Sequence, residues 1–506
     1  MRLLLTDPLR HAERLYGRRE AAICGEVRLT YAEFGARCRR LAAALRRRGV
    51  GRGDRVAALL ANCHRYLEAY TALPLLGAVL VPLNTRHAAA EQRAILDDCR
   101  PRLLLTDAAH RDRAAELGAA VDDVLLAPDA YERALADGGE VEADPAIAED
   151  DPAVIFYTGG TTGRPKGVVL SHRNLVANAF HITVWADYDE GDTYLHAAPM
   201  FHAADGSSIY ALTWQGARHA FAHSFEPGAV LDQIAREQIT CTVLVPTMIG
   251  MLVDHPAVGS ADLRSLRLII HGGSPIATTL LRRAVETLGC SFAQAYGLTE
   301  ASSHLAVLPR EETLLEDRRA RSAGRAVMGV ELVVRRPDGA PCGPGEVGEV
   351  TGRGPNFTRS YWNRPEETAR ALRDGWFWTG DLAHLDEEGY IYIVDRAKDM
   401  IISGGENVYS VEVEEAISAH PAVLEAAVIG VPDETWGERV HAVVVPRPGR
   451  ALDEAGLRAF CRERIAGYKC PRSVEFVEAL PKSGPGKVLK RELRARHWAE
   501  QERLVH

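Results

Sequence analysis

The segment Tyr157-Thr158-Gly159-Gly160-Thr161-Thr162-Gly163-Arg164-Pro165-Lys166-Gly167 sets a polar loop between two short apolar runs, residues 154–156 and 168–170. Both runs have the length and composition of buried strands, so the order here is strand, loop, strand. That order excludes a Walker A loop, because the Gly-Lys-Ser/Thr ending is missing and no helix follows. It also excludes the dinucleotide-binding fingerprint. A loop this rich in Gly, Thr and Lys can nevertheless wrap a polyphosphate, since backbone N–H groups, hydroxyls and an ammonium can all point inward.

The rest of the chain alternates helix and strand. Thr30 and Glu33 form a capping box ahead of Phe34, Cys38, Leu41 and Leu45, whose spacing of four, three and four makes one apolar helical stripe ending at Gly49 and Gly51. Residues 56–60 read as a strand, 66–76 as a helix and 79–81 as the next strand, and strands recur at 243–245 and 266–270. This rhythm predicts an α/β domain with a largely parallel sheet. After about residue 325, Gly, Pro and β-branched residues become frequent, and short antiparallel strands are expected. A third unit starts near Lys398, with helices at 411–419 and 452–464 and strands at 426–429 and 441–445. With 506 residues the chain is too long for a single core.

Composition narrows the function classes. The chain has 60 basic and 69 acidic side chains, a net charge of −9, which disfavours nucleic acid as a partner. The densest basic cluster, Arg39, Arg40, Arg46, Arg47 and Arg48, falls on a helix and reads as a solvated face. Nine cysteines are scattered without a C-x-x-C pair, which points to free thiols and not to a disulfide framework or zinc site. Asp7, Pro8 and Arg10 cut short the apolar start, so no signal peptide is expected. Residues 72–83, broken by Pro74 and Pro82, are too short to span a bilayer, and the chain ends Leu504-Val505-His506 without a peroxisomal address. A cytoplasmic location without an integral membrane segment is the expectation.

The loop resembles that of the adenylate-forming superfamily, which includes acyl-CoA synthetases, peptide-synthetase adenylation domains and luciferases. Its pattern there is Tyr-Thr-Ser-Gly-Thr-Thr-Gly-x-Pro-Lys-Gly, and Gly159 is the one departure, standing where the family has serine. The resemblance covers almost the whole chain and is greatest to the acyl-CoA synthetase branch. It implies an α/β fold in which a large N-terminal domain, residues 1–397, combines α/β subdomains having mixed sheets with a small β-barrel-like subdomain. A small mobile α+β C-terminal domain, residues 398–506, follows.

The resemblance also assigns roles. In the loop, Thr158, Gly160, Thr161, Thr162 and Lys166 would bind the nucleotide. Ala295-Tyr296-Gly297-Leu298-Thr299-Glu300 matches the family's Gly-Tyr-Gly-x-Thr-Glu, so Tyr296 would stack on adenine, Thr299 would bond a phosphate oxygen and Glu300 would hold Mg²⁺, a hard cation that takes carboxylate and phosphate oxygens. Trp376-Phe377-Trp378-Thr379-Gly380-Asp381 implies that Asp381 accepts both ribose hydroxyls, a task suited to an acceptor-only carboxylate. Asp395-Arg396-Ala397-Lys398-Asp399 places Arg396 on the ribose and Lys398 at the hinge. Gly404 and Gly405, with Trp436 nearby, would line the tunnel for the pantetheine of coenzyme A. Lys487, in Pro481-Lys482-Ser483-Gly484-Pro485-Gly486-Lys487, would be catalytic together with Thr299 and Glu300. A carboxylate attacking the α-phosphate meets like-charge repulsion, and a mobile cation relieves it.

The acid itself would sit against His202, Gly272, Gly273 and Ala295, the last replacing a usual glycine. The small run 203–208 suggests a roomy cavity and a bulky or aromatic acid. The expected activity is ligation of a carboxylic acid to coenzyme A through acyl-AMP, with ATP, Mg²⁺ and CoA, by domain alternation. Alternatives are an adenylation enzyme loading a carrier protein, one performing mainly one half-reaction, a luciferase-like oxygenase, and a non-catalytic nucleotide-binding module. Phe201-His202 in place of a Phe-Asp-x-Ser type segment favours the ligase over amino-acid loading. Oxygen uptake or light emission would mark the oxygenase. Whether the chain forms a homodimer stays open.

Overall fold

In the computed structural model, residues 3–159, 165–274, 276–310, 318–433, 435–482 and 488–498 are described. Two large mixed sheets build the N-terminal part. The first has seven strands in the order Ser360–Tyr361, Pro165–Ser171, Pro152–Gly159, Val79–Pro82, Arg55–Leu59, Leu103–Thr106, Asp123–Leu126. Its members from Pro152–Gly159 through Asp123–Leu126 run parallel, and Pro165–Ser171 and Ser360–Tyr361 add antiparallel partners. The second has nine strands, Arg325–Ala326, Ala306–Leu308, Ser291–Tyr296, Leu268–Gly272, Cys241–Leu244, Thr193–His196, Arg218–Phe221, Glu20–Cys24 and Val27–Thr30. Its six central strands are parallel and its rims antiparallel.

Helices cover these sheets because their sequences carry one apolar stripe. The helix Tyr31–Arg47 begins with the reciprocal Thr30–Glu33 capping box, and Phe34, Cys38, Leu41 and Leu45 are fully buried. The largest core joins residues of both sheets to the helices on them, among them Tyr31, Phe34, Tyr66, Phe156 and Tyr194. Of the basic cluster, Arg40, Arg46, Arg47 and Arg48 are exposed, as a solvated face requires, and only Arg39 is half-buried, paired with Glu13 and Glu140. All nine cysteines are free. Among the described residues no helix is long and apolar enough to cross a membrane.

After residue 325 the chain forms the expected turn-rich, barrel-like unit, a curled antiparallel sheet of Glu331–Arg335, Gly348–Arg353, Trp376–Leu385, Leu372–Arg373 and Ile391–Arg396. Not all its strands are short. Trp376–Leu385 runs for ten residues because it pairs on both sides. A fourth sheet follows, of Glu406–Val408, Ile401–Ser403, Gly437–Pro446, Val423–Asp433 and Ser473–Phe476. The helices Ser410–Ser418, Glu454–Arg462 and Lys490–Trp498 accompany it. Its core of Val, Ile and Leu side chains is separate from that of the two large sheets.

Candidate active site

The polar loop is the connection of a β-hairpin. Thr158 pairs with Lys166 and Gly159 with Pro165 across its two arms. Gly160, Thr161 and Thr162 lie outside the described residues, as does Lys487. The Thr158 hydroxyl at the base of the hairpin is buried and has no hydrogen-bond partner. Lys166 extends from the opposite strand. Its Nζ lies 4.0 Å from the Tyr361 ring centroid and 3.6 Å from Glu300 Oε1.

Glu300 occupies the 3₁₀ turn Thr299–Ala301, three residues beyond the end of the strand Ser291–Tyr296. Its side chain is buried and accepts the Tyr361 hydroxyl at 2.8 Å. That bond and burial push the Tyr361 phenol above its ordinary value, so it stays a donor. The turn is braced from outside. Asn356 Nδ2 donates to the carbonyls of Ala301 and His304 at 2.9 and 2.8 Å, Ser302 Oγ donates to the Asn356 carbonyl, and Thr358 N donates to the Glu300 carbonyl at 2.7 Å. Tyr361 and Asn356 are therefore parts of the site that the sequence reading missed. Neither sits in a recognisable motif; the strand Ser360–Tyr361 on the hairpin edge, with Trp362 N donating to the Gly167 carbonyl and Thr358 Oγ1 to that of Val169, ties this segment to the hairpin.

A second group gathers one strand end away. Tyr296 OH donates to Asp381 Oδ2 at 2.8 Å, and Arg396 Nε lies 3.2 Å from Asp381 Oδ1. Asp381 and Arg396 are directly opposed partners on the antiparallel strands Trp376–Leu385 and Ile391–Arg396. Thr379 Oγ1 accepts the Asp381 N–H, which fixes the local turn of the strand. Burial and the neighbouring carboxylate drive the Tyr296 phenol far above its usual value. Tyr296, Asp381 and Arg396, up to 100 residues apart in the chain, form one contact set.

The four residues expected at the acid divide into two places. Gly272 and Ala295 are cross-strand partners in the nine-stranded sheet, and Gly273 follows Gly272. A Cβ on Gly272 would stand 2.4 Å from the Ala295 carbonyl oxygen, so only glycine lets these strands approach. His202 caps the short helix Ala203–Gly206, with its ring 4.6 Å from that of Phe201. Its Nε2 is buried and unpartnered, and desolvation, aided by the neighbouring Arg86 cation, lowers its pKa to about 3. His271 is buried with neither ring nitrogen bonded, and desolvation alone lowers it to about 4. Both imidazoles are neutral near pH 7 and offer a polar wall without charge.

The small run after His202 is mostly buried and engaged in hydrogen bonds. Asp205 is fully buried, accepts Tyr194 OH at 2.9 Å and lies 2.7 Å from His196 Nδ1. Ser207 bonds Asn178 and Ser303. Only Ala204 of these six residues is exposed.

Past the curled sheet, Lys398 sits in a turn closed by Asp399 N and Met400 N donating to the Arg396 carbonyl. Desolvation and the cation Arg396 lower its pKa. Gly404 and Gly405 make the two-residue connection between Ile401–Ser403 and Glu406–Val408. Gly404 has φ +62°, and a Cβ there would stand 2.5 Å from the Trp436 ring. The structure thus brings Gly404 and Trp436 into contact, with the Arg472 guanidinium 4.2 Å from the centroid of the indole.

The chain belongs to the AMP-binding enzyme family, whose sequence pattern matches residues 9–362, while that of the AMP-binding enzyme C-terminal domain matches residues 412–487. It is 44% identical to a feruloyl-CoA synthase of Amycolatopsis sp over 473 residues, 93% of this chain and 94% of that protein. It is 37% identical to the fatty acid–[acyl-carrier-protein] ligase ScoC of Streptomyces coeruleorubidus, covering 96% of this chain and 95% of that one. Among solved structures, ATP-bound MatB from Rhodopseudomonas palustris superposes with a TM-score of 0.90 at 33% identity, over 98% of this chain and 99% of that chain.

Proposed function

We propose that this protein is an AMP-forming acid–thiol ligase that activates a carboxylic acid with ATP and passes the acyl group to coenzyme A. The observation that carries this reading is that two contact sets, Tyr296–Asp381–Arg396 and Lys166–Glu300–Tyr361, meet on one stretch of chain, Tyr296 standing four residues before Glu300. One group offers an aromatic face and an ionised acceptor pair, as adenosine requires. The other offers an ammonium and a carboxylate, as a polyphosphate with its metal requires.

In this reading Tyr296 lies against adenine, while Asp381 accepts the ribose hydroxyls with Arg396 beside it. Lys166, Thr158 and the loop residues Gly160, Thr161 and Thr162 hold phosphate oxygens, and Thr299 bonds the α-phosphate. Glu300 and the unpartnered Thr158 hydroxyl are hard oxygen donors and fit Mg²⁺, with Glu300 as ligand. When bound, Mg²⁺ offsets phosphate charge. Lys487 bridges the attacking carboxylate and the α-phosphate in the first half-reaction. The acid lies against His202, Gly272, Gly273 and Ala295. Residues 1–397 and 398–506 act as separate domains about Lys398. Reorientation then presents Gly404, Gly405 and Trp436 as the pantetheine path. The CoA thiol attacks the acyl carbonyl, and AMP leaves.

An aromatic or otherwise bulky acid is the proposed substrate class. The support is the feruloyl-CoA synthase relative and the neutral wall of Phe201, His202 and His271. The carrier-protein ligase among the relatives keeps a second acceptor in play, because both acceptors present the same pantetheine thiol. A panel of acids with ATP and either CoA or a pantetheinylated carrier protein, read as pyrophosphate and as thioester, tests both. Cinnamate-type acids should exceed acetate at least tenfold in kcat/KM, with CoA as acceptor. Absence of acid-dependent pyrophosphate release from every acid would overturn the ligase reading.

A further inference from the structure

Three side chains from three elements of the C-terminal sheet converge outside the site described above. His441 stands on the strand Gly437–Pro446, Glu475 on its parallel neighbour Ser473–Phe476, and His497 on the helix Lys490–Trp498. One ligand atom from each lies within 4.8 Å of the others. His441 Nε2 is 3.7 Å from Glu475 Oε2, His497 Nε2 is 3.9 Å from the same oxygen, and the two imidazole centroids are 4.8 Å apart.

These separations are too long for hydrogen bonds. They are a few tenths of an ångström wider than the ~3.4 Å edge of a tetrahedron with bonds of ~2.0–2.1 Å. His441 is 5% exposed, and its Nε2 is buried with no hydrogen-bond partner. On its other side Nδ1 lies 2.7 Å from Ser473 Oγ. When Nδ1–H donates to that hydroxyl, the Nε2 lone pair is directed into the gap between Glu475 and His497. This is the arrangement by which an outer partner orients a ligating imidazole. Arg496 approaches the other oxygen of Glu475, Oε1, at 4.0 Å and leaves Oε2 to the gap.

We propose that His441, Glu475 and His497 bind one divalent transition-metal ion of the zinc class, distinct from the Mg²⁺ that accompanies ATP. Two imidazole nitrogens and one carboxylate oxygen select zinc over magnesium or calcium, which take all-oxygen sets. The bound ion ties the helix Lys490–Trp498 to two sheet strands. Glu475 and His497 bracket in sequence the stretch that contains Lys487, so the ion anchors both ends of the segment presenting that lysine. No redox or group-transfer step is involved.

The full-length protein, stripped with chelator and dialysed, is titrated with Zn²⁺ by calorimetry, and native mass spectrometry counts bound ions. One saturable site per chain and a rise in Tm on zinc addition, absent with Mg²⁺, are expected. Glu475→Gln and His497→Gln, both at part-exposed positions, should each weaken zinc binding more than tenfold and abolish the Tm rise. Their metal-free Tm should match that of the wild type, which separates ligand loss from misfolding. No saturable binding by the wild type would overturn the proposal. So would unchanged affinity in both variants, because the zinc would then be held elsewhere, for example by cysteine thiols.

Discussion

Asp381→Asn removes a charge from the centre of the proposed nucleotide grip while keeping its shape. In the wild type one carboxylate oxygen already accepts Tyr296 OH at 2.8 Å, and the other faces Arg396 at 3.2 Å. Arg396 is 41% exposed, so that ion pair is screened and is worth about 0–1 kcal/mol. The larger loss falls on the ribose hydroxyls. A hydrogen bond to a charged group is worth about 1.5–3 kcal/mol, and the amide presents an N–H₂ where an acceptor is needed. Nucleotide binding should therefore weaken by about 2–3 kcal/mol, or about 30- to 150-fold. The fold should survive, because the remaining amide oxygen can still accept Tyr296. The assay is acid-dependent ATP–pyrophosphate exchange with ATP and with 2′,3′-dideoxy-ATP, on both proteins. The wild type should strongly prefer ATP, and the variant should lose most of that preference. If Asp381→Asn weakens both nucleotides by the same factor, Asp381 acts only through Tyr296 and Arg396, and its ribose role is refuted.

Glu300→Gln keeps an acceptor for the Tyr361 hydroxyl but withdraws the charge facing Lys166, so acid-dependent pyrophosphate release should fall at least about tenfold and half-saturation in Mg²⁺ should rise. An unchanged Mg²⁺ titration curve would remove Glu300 from the metal site. Lys487→Ala should slow adenylation by about 10²–10³-fold through lost charge stabilisation, yet convert supplied acyl-AMP and CoA to thioester at near the normal rate. Equal loss of both half-reactions would make that lysine structural.

What the sequence disclosed and what it hid follow from how far each determinant reaches along the chain. The helix Tyr31–Arg47 was legible because its cap and stripe are local: Thr30, Glu33 and the apolar residues sit within sixteen positions. The hairpin Pro152–Ser171 was legible because its loop composition is unusual and its arms are apolar. Tyr296, Asp381 and Arg396 carry no local sign of their meeting, and only a family motif around each one linked them. Tyr361 and Asn356 lacked even that, since their roles rest on hydrogen bonds between residues more than fifty positions apart. Asp205 misled for a different reason. Residue size in a short run says nothing about which way a side chain turns, and this carboxylate turns inward to Tyr194 and His196. His441, Glu475 and His497 come from two strands and a helix, so no spacing rule could have grouped them.

The strand Ile391–Arg396 joins the proposed nucleotide grip to the C-terminal unit through two adjacent residues. Side chains alternate across a strand. Arg396 accordingly turns to Asp381, while Asp395 accepts both the N–H and the hydroxyl of Ser410, at the start of the helix Ser410–Ser418. Lys490 donates to the same Ser410 hydroxyl at 2.6 Å and pairs with Glu414, and Arg494 donates to the Lys398 carbonyl. Burial raises the pKa of Asp395, opposed by Lys490, so the carboxylate gains from any movement that returns it to water. The proposed rotation about Lys398 would break the Asp395–Ser410 contacts, whereas the Lys490 contacts lie within residues 398–506 and would move with them; hydration of Asp395 would offset part of that cost. It need not break the grip, because Tyr296, Asp381 and Arg396 all precede Lys398. Lys487, Gly404 and Gly405 all follow it. In the proposed mechanism, an acyl-adenylate made with the help of Lys487 would therefore stay anchored by its ribose while the C-terminal groups exchange around it.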